Sequence, residues 1–176
     1  MINHYRALAF AALMGAALPR SQQAQAPGDP RVPETTDRMK LSGPRFGVTF
    51  LTTQMRDSLK SHSINVGPVI SQFGWQFERQ FLGNSEGVTA VSEWVFLVGG
   101  LDQGTFLPSV SWLVGMRGPN GTEFGVGPNV SAAGASLVIA AGITHRAGAL
   151  NVPINLAVVP SREGTRIGVL TGFTMR

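Results

Sequence analysis

The side chains best suited to chemistry are three glutamates, Glu78, Glu93 and Glu123, and a histidine, His62, with an aspartate and serines close by in the sequence. Paired carboxylates at a suitable separation can act as general acid and base on a glycosidic bond. Each glutamate, however, lies in a segment where polar and apolar residues alternate, and three arginines occupy comparable positions. Salt bridges inside a folded protein are the simpler interpretation of these charges.

The residues around His62 contain the residue types of a hydrolytic triad, namely Asp57, Ser61 and Ser63. Triads are assembled from distant parts of a fold, so proximity along seven residues gives little support for catalysis. The chain has no cysteine, which excludes disulfides, thiolate metal sites and a cysteine nucleophile. No His/Asp/Glu set has metal-ligand spacing, and no glycine-rich loop opens a helix. We therefore predict no catalytic, cofactor or metal site, and a protein that is not an enzyme.

The N-terminus has the composition of an export signal, which we assign to residues 1–26. Arg6 precedes an apolar run from Ala7 to Leu18, which is too short to span a bilayer as a helix, and Ala24 and Ala26 supply the small residues of a cleavage site. Residues 27–44 contain four prolines and no periodicity. This segment is predicted to be a flexible lead-in to the folded domain.

The charge of the chain gives little support for nucleic-acid binding. Charged residues make up 14% of the sequence, well below the roughly 25% of an ordinary soluble domain. Lys40 and Lys60 are the only lysines, and the arginines are scattered instead of clustered.

Alternation of polar and apolar residues dominates the sequence from Arg45 onward and predicts β-strands. It recurs eight times, at residues 45–52, 69–81, 88–99, 108–117, 122–131, 135–146, 150–159 and 165–175. Most connections are short and therefore require antiparallel neighbours, while residues 53–68 are predicted to include a short helix around 54–60. The predicted fold is all-β: an antiparallel up-and-down meander of eight strands that closes into a small barrel over residues 45–176.

The two faces of the predicted strands differ in composition. One face carries all three tryptophans and many Phe, Val, Ile and Leu residues. The other face is rich in glycine, as the narrow interior of an eight-stranded barrel requires. Three acids and three arginines on this face predict a self-neutralising interior salt-bridge network formed by Arg45, Glu78, Glu93, Arg117, Glu123 and Arg166.

This layout resembles that of small eight-stranded bacterial outer-membrane β-barrel proteins, with an export signal, a meander and a C-terminal amphipathic strand. The stretch Pro68-Val-Ile-Ser-Gln-Phe-Gly-Trp-Gln-Phe-Glu78 is also similar to one in uncharacterised exported bacterial proteins. The resemblance implies location in the bacterial outer membrane, lipid as a partner and both termini in the periplasm. In this family the last strand usually ends on an aromatic residue, whereas here Phe173 is followed by Thr-Met-Arg.

The long connection at residues 53–68 would then face outward, and it is predicted to be the external contact loop through Arg56, Asp57, Lys60 and His62. The leading functional hypothesis is a non-enzymatic barrel with a structural, adhesive or envelope-related role. One alternative is a soluble periplasmic or secreted barrel that binds a small apolar ligand. Another is a lipid-modifying outer-membrane enzyme, although His145 is followed by Arg146 and Ala147 instead of the His-x-Ser pair that some outer-membrane acyl hydrolases carry.

Overall fold

A computed structural model describes residues 41–83 and 87–175. Eight long strands, one short strand, one α-helix and one 3-10 helix make up this region: β1 (Gly43–Leu51), α1 (Thr53–Ser61), β2 (Val69–Gly83), β3 (Thr89–Gly99), a 3-10 helix (Leu101–Gln103), β4 (Leu107–Arg117), β5 (Thr122–Ser131), β6 (Gly134–Ala147), β7 (Leu150–Ser161), β8 (Gly164–Gly172) and β9 (Thr174–Met175). The predicted signal peptide, 1–26, and the lead-in as far as residue 40 lie outside the described residues.

The eight long strands form a closed antiparallel barrel. Each strand pairs with the next along the chain, and β8 returns to pair with β1, so that Gly47 lies opposite Gln72 on one side and Leu170 on the other. The turns between β5 and β6, β6 and β7, and β7 and β8 contain two residues each. The predicted all-β meander closed into an eight-stranded barrel is therefore confirmed.

Four strands have boundaries that differ by two or more residues from those expected from alternation, among them β7, which extends to Ser161 instead of residue 159. β1 begins at Gly43, two residues inside the predicted lead-in. β2 extends to Gly83 and its register with β3 shifts between Gln80 and Leu82. The last predicted strand is interrupted at Phe173, and the short β9 that follows pairs with β7.

The apolar face of the strands points outward, and the glycine-rich face points into the barrel. Outward-facing Trp75, Trp94 and Trp112 are 46%, 46% and 42% exposed. The interior contains an apolar cluster formed by Val95, Leu97, Leu113, Val138, Val159 and Leu170. Val95 and Leu97 belong to this inner cluster, so residues 94–98 of β3 are apolar on both faces.

Helix α1 lies over one mouth of the barrel. Thr52 caps its N-terminus by accepting a hydrogen bond from the Met55 amide at 3.4 Å. Met55 and Leu59 are buried against residues from several parts of the rim, namely Leu51, Val66, Ile70 and Leu107. Gly164 lies so close to the helix that a Cβ atom there would be 2.5 Å from the Met55 nitrogen. In the part of the chain that the structure describes, no helix is long and apolar enough to cross a bilayer.

Candidate functional site

The most concentrated charge in the described residues is a buried cluster in which Arg117 contacts three glutamates. We call Arg117, Glu78, Glu93 and Glu123 the arginine–glutamate cluster. Both terminal nitrogens of Arg117 donate to the Glu78 carboxylate, at 2.6 and 2.5 Å, a bidentate arrangement that fixes the guanidinium plane. Its Nη2 also lies 2.8 Å from a Glu123 oxygen and 3.5 Å from a Glu93 oxygen.

Strand pairing brings these four side chains together from four neighbouring strands. Glu78 on β2 faces Glu93 on β3, and Arg117 on β4 faces Glu123 on β5. At these positions each side chain points into the barrel, where all four are largely shielded from solvent. All three carboxyl groups contact the same guanidinium, so the cluster pairs one cation with three acids and is not the self-neutralising network of three acids and three arginines that the sequence predicted.

Arg45 and Asn155 extend the polar surroundings of the arginine–glutamate cluster. Arg45 is 2% exposed; its Nε donates to Gln76 Oε1 at 3.0 Å, and its Nη2 donates to the Leu41 carbonyl at 2.5 Å. Asn155 on β7 donates to Glu123 Oε1 at 2.7 Å. Arg45 therefore stands beside the cluster without a direct salt bridge to it.

Arg166, the sixth charged residue of the predicted network, lies elsewhere. It pairs with Leu51 on β1, directly before α1, so it is near the helix-covered mouth. Its guanidinium donates to Ser131 Oγ and Asn129 Oδ1, both at 2.8 Å. None of the described carboxylates lies within salt-bridge distance of it.

A cavity of about 70 Å³ lies inside the barrel, with both Glu93 and Arg166 in its lining. Residues of the apolar cluster, among them Leu113 and Val138, line it between these polar groups. Pockets for drug-sized ligands have volumes of roughly 300–1,000 Å³. The interior is thus filled mainly by side chains and has room for only a few water-sized species.

The predicted external contact residues lie on or directly after α1. Asp57, Lys60 and His62 are exposed, whereas Arg56 is half-buried and its Nε donates to the Val66 carbonyl at 3.4 Å. The His62 ring contacts the Ser58 carbonyl at 2.9 Å and the Ser61 hydroxyl at 3.3 Å. Asp57 makes no hydrogen bond to His62 among the described contacts, so these residues do not form a triad.

The outer face of the barrel is apolar on every strand. Each of the eight long strands exposes at least one large apolar side chain, for example Phe46, Trp75, Trp94, Trp112, Phe124, Ile139, Ile154 and Ile167. Trp94 stacks between Phe96 and Trp112, with ring centroids 6.2 and 5.9 Å apart. Among the charged residues of the described strands, Arg79 and Arg146 are the exposed ones; Arg146 is next to the last residue of β6, whereas Arg79 lies four residues before the end of β2.

No family model, no curated protein and no solved structure matches this chain. Its function must therefore be inferred from the geometry of its own residues.

Two loop residues that alternation did not identify hold the helix-covered mouth together. Gln103 accepts a hydrogen bond from the Gly67 amide at 2.6 Å and donates to the Val69 carbonyl at 2.7 Å. The Ser71 hydroxyl donates to the Asp102 carboxylate at 2.5 Å, and this bond lowers the pKa of Asp102. Both residues lie in the 3-10 helix, where the sequence shows only a turn. The residues that they contact lie 31 to 36 positions away in the sequence, so no local sequence pattern indicates these hydrogen bonds.

Proposed function

We propose that this chain is a bacterial outer-membrane β-barrel with a structural, adhesive or envelope-related role that does not involve catalysis. The observation that carries the proposal is the outward-facing apolar surface on all eight long strands. Apolar patches on soluble monomers rarely exceed about 300–600 Å². A continuous apolar band is typical of the lipid-facing side of a membrane barrel.

The interior supports the same proposal because it holds charge where a lipid-embedded barrel can tolerate it. Glu78, Glu93 and Glu123 point inward and share Arg117, so these ions do not face the apolar exterior. Strands of about 9 to 11 residues at a tilt near 45° suffice to cross a bilayer, and β1 to β8 contain at least 9 residues each.

The same geometry argues against a general pore or an apolar-ligand carrier. Side chains fill the interior, leaving a cavity of about 70 Å³. A carrier would also need its apolar face inside, whereas Trp75, Trp94 and Trp112 lie outside. We infer that the function depends on surfaces outside the barrel lumen, with the exposed side of α1, around Asp57, Lys60 and His62, as the proposed external contact site.

The proposal is tested by refolding the protein in vesicles with and without brominated lipid. We expect brominated chains to quench the fluorescence of the three outward tryptophans, and we expect unboiled protein to migrate differently from boiled protein in SDS gels. A matched control replaces these tryptophans with Phe and introduces Lys60→Trp on the exposed side of α1; its fluorescence should escape quenching. A wild-type protein that stays soluble without detergent, shows no boiling shift and is not quenched would disprove membrane insertion.

A further inference from the structure

The space beneath α1 is a second site, at the helix-covered end of the barrel, and it shares Thr49, Gln72, Ser109 and Arg166 with the lining of the central cavity. We call it the polar chamber: a cavity of about 30 Å³ whose polar lining is Thr49, Gln72, Ser109, Ser131 and Arg166. Leu59 of α1 and Ala133 of the β5–β6 turn line it on the side of the mouth. About 10–15 Å³ of such space accommodates one water-sized species, so the chamber can hold one small ion.

The chamber contains a cation, Arg166, that has no described carboxylate within salt-bridge distance. Two of the five N–H donors of Arg166 are used, by Ser131 and Asn129, and the other three have no acceptor among the described residues. Neither acceptor is charged. The three interior carboxylates contact Arg117 instead. A guanidinium that is largely shielded from bulk water, without a counter-charge, is costly, and an anion would reduce that cost.

The other polar groups of the chamber add hydrogen-bond donors. Gln72 Oε1 accepts a hydrogen bond from Thr49 at 2.5 Å, which orients the amide and leaves the Gln72 Nε2 donors without a partner in the described region. Ser109 Oγ accepts from Asn129 at 2.8 Å, and its own hydroxyl proton has no acceptor among the described contacts. Unused donors on Arg166, Gln72 and Ser109 therefore line the same small cavity.

We propose that the polar chamber binds one small monovalent inorganic anion, such as chloride or bromide, on Arg166. The size of the chamber excludes phosphate esters and lipid headgroups, and its donors suit a spherical anion that accepts from several directions. The site does not depend on whether the barrel lies in a membrane, since all its groups belong to the interior and to the α1-covered mouth.

The test measures thermal unfolding of the refolded full chain in a neutral detergent. Sodium chloride or bromide is exchanged for sodium gluconate, an anion too large for the chamber, at constant ionic strength. We expect the unfolding midpoint to rise by about 3–6 °C when the halide reaches ten times its dissociation constant. Arg166→Gln should abolish this rise, whereas Arg146→Gln, which removes an exposed arginine, should retain it.

Two further measurements make the result decisive. If Arg166→Gln does not fold, Gln72→Leu removes a chamber donor while retaining the arginine, and it should weaken the halide effect several-fold. Crystals grown in bromide should show anomalous scattering beside Arg166. A wild-type midpoint that is the same in halide and gluconate, an equal halide effect in both arginine variants, or crystals with only water at Arg166 would overturn the proposal.

Discussion

Arg117 is the common ion-pair partner of three glutamates, which makes it the residue on which the charged part of the interior depends. It contacts Glu78, Glu93 and Glu123 within 3.5 Å, and its side chain is 4% exposed. Arg45 donates its hydrogen bonds to Gln76 and to carbonyl oxygens instead of to these carboxylates. No second cation in the described interior is therefore positioned to replace Arg117.

Replacing Arg117 with Met should destabilise the folded barrel by about 3–5 kcal/mol, because three carboxylates would remain buried without their common partner. The measurement is the urea midpoint for loss of the form that migrates differently before boiling. Arg146→Met removes an exposed arginine and should change stability by less than about 0.5 kcal/mol. Equal effects of the two substitutions would show that the cluster does not stabilise the barrel.

The sequence predicted which charges share the inner face, but not which of them meet. Alternation places a side chain on a face, whereas contact across the lumen depends on the stagger between strands. Glu78 on β2 and Arg117 on β4 belong to strands that are not neighbours, so neither hairpin spacing nor local pattern indicates their contact. Arg166 also points into the barrel, but it lies near the helix-covered mouth, beside Asn129 and Ser131.

At the scale of elements, inward-facing glycines allow neighbouring strands to approach closely. A Cβ atom at Gly127 would lie 1.8 Å from the Trp112 carbonyl oxygen, and one at Gly74 would lie 1.8 Å from the Phe96 oxygen. Gly125, on the same face of β5, has its nearest neighbour at 3.5 Å, on the Leu113 side chain. Close contact with the neighbouring strand thus requires glycine at positions such as Gly127 and Gly74, whereas Gly125 has space for a small side chain.

Gly127→Ala should destabilise the barrel by about 1–3 kcal/mol, because β5 would have to move away from β4 to accommodate the methyl group. Gly125→Ala should be neutral or should stabilise the protein by up to about 1 kcal/mol, since alanine fits there and restricts the unfolded chain. Urea unfolding of the two variants measures both effects. Destabilisation of the same size at both positions would contradict this steric distinction.

The elements themselves were largely predictable, and their interruptions were not. Period-2 alternation located all eight strands, since one face of each is consistently apolar. The register shift between Gln80 and Leu82 depends on the pairing of β2 with β3, and the break at Phe173 precedes the pairing of β9 with β7. Local sequence patterns do not indicate either pairing. The position of α1 over the mouth depends on Gly164, which lies more than a hundred residues away in the sequence.

At the scale of the whole molecule, the barrel has two different ends. Helix α1 and the β3–β4, β5–β6 and β7–β8 connections lie at one end. The β4–β5 and β6–β7 turns lie at the other, together with the start of β1 and the end of β9. If the barrel spans the outer membrane as proposed, these ends face opposite compartments.

The orientation can be measured cleanly because the chain has no cysteine. Lys60→Cys places a thiol on the exposed side of α1, and Ala149→Cys places one in the β6–β7 turn at the opposite end. We expect a membrane-impermeant maleimide to label the first variant in intact cells and the second only after lysis. The reverse pattern would invert the proposed orientation, and labelling of both in intact cells would contradict a spanning barrel.

The pairing of β1 with β8 has a consequence for how the chain reaches its native state. Because these two strands come from opposite ends of the domain, the sheet cannot close until the last long strand has been synthesised. Until then both sheet edges have unpaired backbone groups next to an apolar surface, a combination that promotes aggregation. Such non-local pairing also folds slowly. Removal of either β1 or β8 would therefore leave the barrel open, with its sheet edges unpaired beside the apolar surface.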